Sequence, residues 1–283
     1  AIIFSPHPAA LCCIMEVADI LRETLKKNGF PEDLISCISV PTMEATDALM
    51  KHQDVSLILA TGGSAMVRAA YSSGTPALGV GPGNVPAFIE KTADIKMAVS
   101  RIIAGKIFDN GVICASEQAV VVEREIYKEV KKEFINQGCY FVNEEEKLKM
   151  EKIIDTPYGS LNAKIVGKTA SQLADMAKIE VPENTKIIIA EETGVGKGYP
   201  FSREKLSPIL AFYVEDDWKK GCDKCIELLD YGGMGHTLGI HSNDKDIIME
   251  FALRKPASRI IVNSPTTHGA IGATTNLAPA LTL

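Results

Sequence analysis

No stretch of this chain approaches the ~18–20 consecutive apolar residues that a bilayer-spanning helix needs, and its start, Ala1-Ile2-Ile3-Phe4-Ser5, lacks the basic flank and long apolar run of a signal peptide. A soluble, cytoplasmic protein is expected. Concentrated positive charge is missing too: 30 Lys and Arg face 36 Asp and Glu, for a net charge of −6, and the short basic cluster at 128–132 sits among acids. A surface that tracks nucleic-acid phosphates needs the opposite balance, so nucleic acid is excluded as the main partner. The cysteines Cys12, Cys13, Cys37, Cys114, Cys139, Cys222 and Cys225 are odd in number and scattered, which does not make a secreted disulfide framework. Cytosolic thiols are expected. Nor is there metal-ligand spacing among His7, His52, His236, His241 and His268, and Cys222-Asp223-Lys224-Cys225 has no second pair. No metal is expected, and the Cys-x-x-Cys reads as helix packing, as does Cys12-Cys13. Internal repeats, low-complexity tracts and an initiating Met are absent as well, and the last point suggests a piece of something longer.

What the chain does have is apolar content of 46% over 283 residues, enough for a sizeable core and, as a prior, about two domains. In the first ninety residues, short apolar runs at 1–4, 35–40, 55–60 and 76–80 alternate with helical spacings such as Val17, Ile20, Leu21 and Leu25. Strands alternating with helices predict a βαβ succession, a parallel sheet, and ligands at the strand exits. Two exits are glycine-rich, Thr61-Gly62-Gly63-Ser64 and Gly81-Pro82-Gly83-Asn84, where backbone amides could approach a ligand closely. Neither completes G-x-G-x-x-G, so by themselves they read first as ordinary tight turns of an α/β domain. Beyond residue 86, Ile95, Ala98, Val99, Ile102 and Ile103 predict a helix, followed by a strand at 118–122, a helix through Ile126, Val130 and Phe134, a solvated helix at 144–152 and a strand at 186–190. Strands at 209–213, 237–241 and 260–262 and helices at 216–229 and 245–253 complete the pattern.

Cys114 lies in Phe108-Asp109-Asn110-Gly111-Val112-Ile113-Cys114-Ala115-Ser116-Glu117-Gln118, between a predicted helix and strand. Small neighbours leave the thiol accessible and let amides point at it or at an oxyanion, although a free thiol with pKa ~8.5 still needs help to ionise at neutral pH. By itself this reads first as a buried structural cysteine. The whole segment, however, closely resembles the nucleophile segment of the CoA-acylating aldehyde dehydrogenases, in particular the aldehyde-dehydrogenase half of bifunctional aldehyde-alcohol dehydrogenases. The resemblance continues in order through Ile2-Ile3-Phe4-Ser5-Pro6-His7-Pro8, Ala60-Thr61-Gly62-Gly63, Ala70-Tyr71-Ser72-Ser73-Gly74, Gly79-Val80-Gly81-Pro82-Gly83-Asn84, Glu204-Lys205-Leu206-Ser207-Pro208 and Gly235-His236-Thr237.

The resemblance implies an α/β, aldehyde-dehydrogenase-like fold: a Rossmann-type cofactor domain lacking its N-terminal part at 1–85, an α/β catalytic domain at 86–265, and a return segment toward the cofactor domain or an oligomerisation tail at 266–283. It implies that Cys114 attacks the aldehyde, that hydride leaves to NAD, and that a thioacyl-enzyme remains. Gly63 and Gly81 would line the cofactor cleft, His7 would border its adenosine side, and Glu204, an acceptor-only carboxylate, would take hydrogen bonds from the nicotinamide ribose. His236 would handle protons at the acyl group, although a lone histidine between glycines also suits a structural role. One departure is informative: hydrolytic relatives place a water-activating glutamate where this chain has Gly79. Without that base the acyl group should await coenzyme A, giving a CoA-acylating aldehyde dehydrogenase that acts on a short-chain aldehyde and acyl-CoA, with acetaldehyde the family's commonest substrate. A hydrolytic NAD(P)-dependent enzyme and an inactive assembly fragment are the alternatives. The full-length protein is expected to be a homo-oligomer, fused to or associated with an alcohol dehydrogenase.

Overall fold

Alternating strand and helix signals close into parallel β-structure in two units that divide after Gly81. A computed structural model describes residues 1–279. The first unit, Ala1–Gly81, runs β1 (Ile2–Phe4), α1 (Leu11–Lys27), β2 (Ile35–Cys37), α2 (Met43–Met50), β3 (Ile58–Thr61), α3 (Ser64–Tyr71) and β4 (Ala77–Val80). β1 pairs in parallel with β2 and β3 with β4, each across a helical connection. Only Met50, Ala60 and Ala70 form a buried cluster here. The expectation that Cys12 and Cys13 pack inward fails: both are exposed, because α1 buries only Ala18 and leaves Val17 and Ile20 each 55% exposed.

The second unit begins at Pro82. Its elements are β5 (Val85–Ile89), α4 (Ile95–Ile107), β6 (Glu117–Glu123), α5 (Tyr127–Asn136), β7 (Cys139–Phe141), α6 (Glu144–Ile154), α7 (Ala170–Ala177), β8 (Ile187–Glu191), β9 (Ile209–Glu215), α8 (Trp218–Gly232), β10 (Gly235–His241), α9 (Lys245–Leu253), β11 (Ala257–Val262) and α10 (Thr266–Ala270). The seven strands form one parallel sheet in the order β11-β10-β5-β6-β9-β8-β7. β5 and β6 are buried at every position, as strands covered by helices on both faces must be. Alternate residues serve the two layers. Ala87, Ile89, Val120 and Val122 pack with residues of α4 and α5, whereas Phe88 and Val121 pack with residues of α6, α7, α8 and α9. Phe88 stacks on Phe251 at 5.0 Å and occupies the space where a Cβ on Gly221 of α8 would lie.

The second glycine turn, Gly81-Pro82-Gly83-Asn84, leads into β5. β5 escapes pattern reading because Pro86, which has no N–H for a ladder, argues against a central strand. The sheet accommodates it at a register shift between Val85 and Pro86. Cys222 and Cys225 are fully buried on α8, as the packing reading expected. The helix α10 packs against α4, β10 and β11, while the end of the expected 266–283 segment, residues 280–283, lies outside the described residues.

Candidate active site at the amino ends of the sheet

The Cys114 loop is built by three successive left-handed residues. After α4 the chain turns through Asp109 (φ 49°), Asn110 (φ 49°) and Gly111 (φ 74°). Asn, Asp and Gly are the residue types that tolerate this region at least cost, which explains the Asp-Asn-Gly sequence. At Gly111 an added Cβ would also come 3.0 Å from the Ser207 carbonyl and 3.1 Å from that of Lys106. The Asn110 amide donates to Gly167 O at 3.2 Å, and Ser116 N–H closes the loop on Ile113 O at 2.8 Å. Cys114 is thereby presented, half-buried, just before β6.

Gly83, just before β5, brings three site groups together. Its N–H donates to Glu204 Oε1 at 3.0 Å, and a Cβ on it would overlap the Cys114 carbonyl and stand 3.1 Å from the His236 ring. Only glycine fits. Asn84 next to it is buried and donates from Nδ2 to Ser202 O and to Leu228 O, both at 2.8 Å, tying the Glu204 segment and the end of α8 to the start of β5. Cys114, Glu204 and His236 therefore converge where β5, β6, β9 and β10 begin, the opposite end from the strand exits that parallel sheets commonly use.

Burial governs the protonation of the site. The Cys114 thiol is pushed up by desolvation and then by Glu204; Arg259 and the Cys114 and Ala115 amides oppose this. Glu204 is pushed up to about 7 by burial, against the Gly83 N–H and the charges of Lys106 and Lys205. His236 is pulled down to about 4 by burial and then by Arg259. Its Nδ1 lies 3.0 Å from Thr237 Oγ1, and its buried Nε2 has no partner, so near neutral pH it is a neutral imidazole with one uncommitted nitrogen.

Around these groups lies a buried polar shell that sequence reasoning did not single out. Glu117 accepts from Thr266 N–H at 2.8 Å, and Thr266 Oγ1 donates to Ala115 O at 2.7 Å. Gly105 leaves room for that carboxylate. Lys106 is fully buried, pulled down by desolvation, and donates to Gln118 Oε1 at 3.3 Å. A signal was present: Lys106 continues the apolar face of Ile102 and Ile103 at helical spacing.

The other expected site residues belong to the first unit. Gly63 is the N-cap of α3, and Gly81 ends the unit; at both, an added Cβ would meet nothing within 4 Å, and neither has positive φ. Packing and backbone strain therefore do not demand glycine at either position. His7 is exposed and caps the short turn Pro8–Ala10, accepting from Ala9 N–H at 3.2 Å. Gly79 is closely packed: a Cβ there would stand 2.6 Å from Val67 Cγ1 and 2.8 Å from the Tyr71 ring of α3. Among the described residues, no cluster of His, Cys, Asp and Glu could hold a metal ion, and no helix is long and apolar enough to cross a membrane.

Residues 1–202 match the model of the aldehyde dehydrogenase family. The bifunctional aldehyde-alcohol dehydrogenase of Escherichia coli (strain K12) is 46% identical over 288 residues, covering the whole of this chain and 32% of that protein. An acetylating aldehyde dehydrogenase from Geobacillus thermoglucosidasius superposes with a TM-score of 0.97 at 54% identity, over all of this chain and 62% of its own. A Rhodopseudomonas palustris propionaldehyde dehydrogenase, solved with bound CoA and an acylated cysteine, superposes with a TM-score of 0.93 at 28% identity, over all of this chain and 64% of its own. The chain spans about a third of the length of the curated aldehyde-alcohol dehydrogenases it matches.

Proposed function

Because the chain belongs to the aldehyde dehydrogenase family, we propose that its protein interconverts a short-chain aldehyde, CoA and NAD with acyl-CoA and NADH through a thioacyl intermediate on Cys114. One observation carries this reading: the nucleophile loop, a neutral imidazole and an acceptor carboxylate meet around Gly83. Cys114 Sγ adds to the aldehyde carbon to form a thiohemiacetal. Its thiol proton must leave first, and the Cys114 and Ala115 amides directed at sulfur favour the thiolate. His236, neutral and with Nε2 uncommitted, would take the proton of the incoming CoA thiol and return it when acyl-CoA is the substrate. NAD, when bound, accepts the hydride that converts the thiohemiacetal to thioester. Glu204 would hold its nicotinamide ribose, Gly63 and Gly81 would admit its backbone-facing groups, and His7 would border the adenosine side.

Transfer to CoA rather than water is supported by Gly79, which supplies no water-activating carboxylate and packs closely against Val67 and Tyr71. Acetaldehyde and acetyl-CoA are the proposed pair, and the full-length protein is proposed to assemble as a homo-oligomer joined to or associated with an alcohol dehydrogenase. Two assays test this. Cys114→Ser should abolish acyl-CoA-dependent NADH oxidation while NADH binding survives; full residual turnover would eliminate the thioacyl route. Aldehyde oxidation should also depend on CoA, and an equal rate of carboxylate release without CoA would show a hydrolytic enzyme instead.

A further inference from the structure

Lys205 follows Glu204 directly and is wholly buried. Its Nζ donates to three backbone carbonyls, Gln118 O at 3.0 Å, Phe201 O at 2.6 Å and Arg203 O at 2.6 Å. Three acceptors match the three protons of an ammonium; a neutral amine would leave one carbonyl facing a lone pair. Burial and then the charge of Lys106 oppose the ammonium and pull the amine well below its ordinary value, while the adjacent Glu204 carboxylate supports it; the three carbonyls are the geometric feature that favours the charged form. Gln118 completes the arrangement from the other side. Its Oε1 accepts from Lys205 N–H at 3.0 Å and from Lys106 Nζ at 3.3 Å, and its Nε2 donates to Ser116 O at 3.3 Å, inside the Cys114 loop. Leu206, next in the chain, is held at φ 50°, a conformation that costs a leucine ~1 kcal/mol or more and persists only where its surroundings fix it.

We propose that Lys205 and Gln118 form an internal clamp that fixes Glu204 in register with the Cys114 loop, so that the ribose-binding carboxylate and the nucleophile keep one spacing. Both are positioning residues: neither touches the reacting atoms, and their role rests on the cofactor assignment of Glu204 proposed above. A purely structural lysine would loosen the whole unit. A clamp, by contrast, acts on nucleotide binding ahead of thiol chemistry, because Cys114 keeps its own left-handed turn and its Ser116-to-Ile113 bond.

The test uses the protein at its natural length with Lys205→Met and Gln118→Met, which keep bulk and remove the polar contacts. NADH affinity should fall about tenfold in each, the scale of a lost charge-assisted hydrogen bond, with a matching rise in KM for NADH. The rate of Cys114 alkylation by iodoacetamide should stay at the wild-type value. The double variant should be no worse than the weaker single one, since both remove the same clamp. Unchanged NADH affinity in both variants, or affinity and alkylation changing together, overturns the proposal. Should Lys205→Met fail to fold, Gln118→Met decides on the same readings. A wild-type protein that binds NADH yet never turns over acyl-CoA would sink the proposed function and leave the clamp standing.

Discussion

Glu204 and Cys114 share a feature that sets the pH behaviour of the site: burial favours the uncharged form of each. A protonated Glu204 offers a ribose fewer acceptor sites, so NADH affinity should weaken as pH falls through about 7, and Glu204→Gln should bind weakly at every pH. An isothermal titration series in wild type and variant checks this; parallel profiles would remove Glu204 from the cofactor site. The residues that sequence alone brought forward are those inside long contiguous motifs, Cys114 above all. Glu117, Gln118 and Lys205 lie in those motifs too, yet sequence alone assigns no role to them or to Lys106, and all four are polar groups wholly inside the protein. Pattern reading assigns charge to solvent because burying it is costly without partners, and partners here come from distant segments, Thr266 for Glu117 and Gln118 for Lys205.

Elements whose period is clean were legible: α9 runs Lys245–Leu253 and β9 starts at Ile209, as the spacing predicts. The short strand β7 and the helix α7 went unread, the first because it has only three residues, the second because its apolar face is built from small Ala170, Ala174 and Ala177 around Leu173. Packing between elements makes two predictions. Gly221→Ala would drive a methyl into the Phe88 ring on β5, an overpacking that costs about 1–3 kcal/mol and is measurable as a lowered urea midpoint. Gly79→Glu would push β4 from Val67 and Tyr71 of α3. It should destabilise the protein without creating CoA-independent aldehyde oxidation. Appearance of that activity would show that α3 yields and that the missing base alone separates the two reaction outcomes.

Across the whole molecule, stability should respond to acid through groups far from the nucleophile. His241 is buried at the end of β10 with neither ring nitrogen partnered, and burial pulls it down to about 3 from an ordinary 6.5. The unfolded chain takes up this proton first as pH falls, so the histidine's contribution is intact above 6.5 and is lost toward its folded value. The stability difference between wild type and His241→Phe should therefore shift against wild type by about 1.4 kcal/mol per pH unit below 6.5, whatever constant offset the exchange introduces. Denaturant titrations at several pH values read this slope, and a flat difference would mean that water reaches the ring. The order of a parallel α/β sheet was legible only in class, since strand neighbours such as β5 and β10 are far apart in sequence. Placing Cys114 and His236 where strands begin also means that each follows the end of a helix, α4 and α8, whose carboxyl termini carry partial negative charge. The helix α10, whose first residue bonds the Ala115 carbonyl, has its first amide taken by Glu117. Burial, the Glu204 carboxylate and two helix ends therefore hold the Cys114 side chain as a thiol, and a thiol reacts more slowly with peroxide or stray electrophiles than a thiolate does.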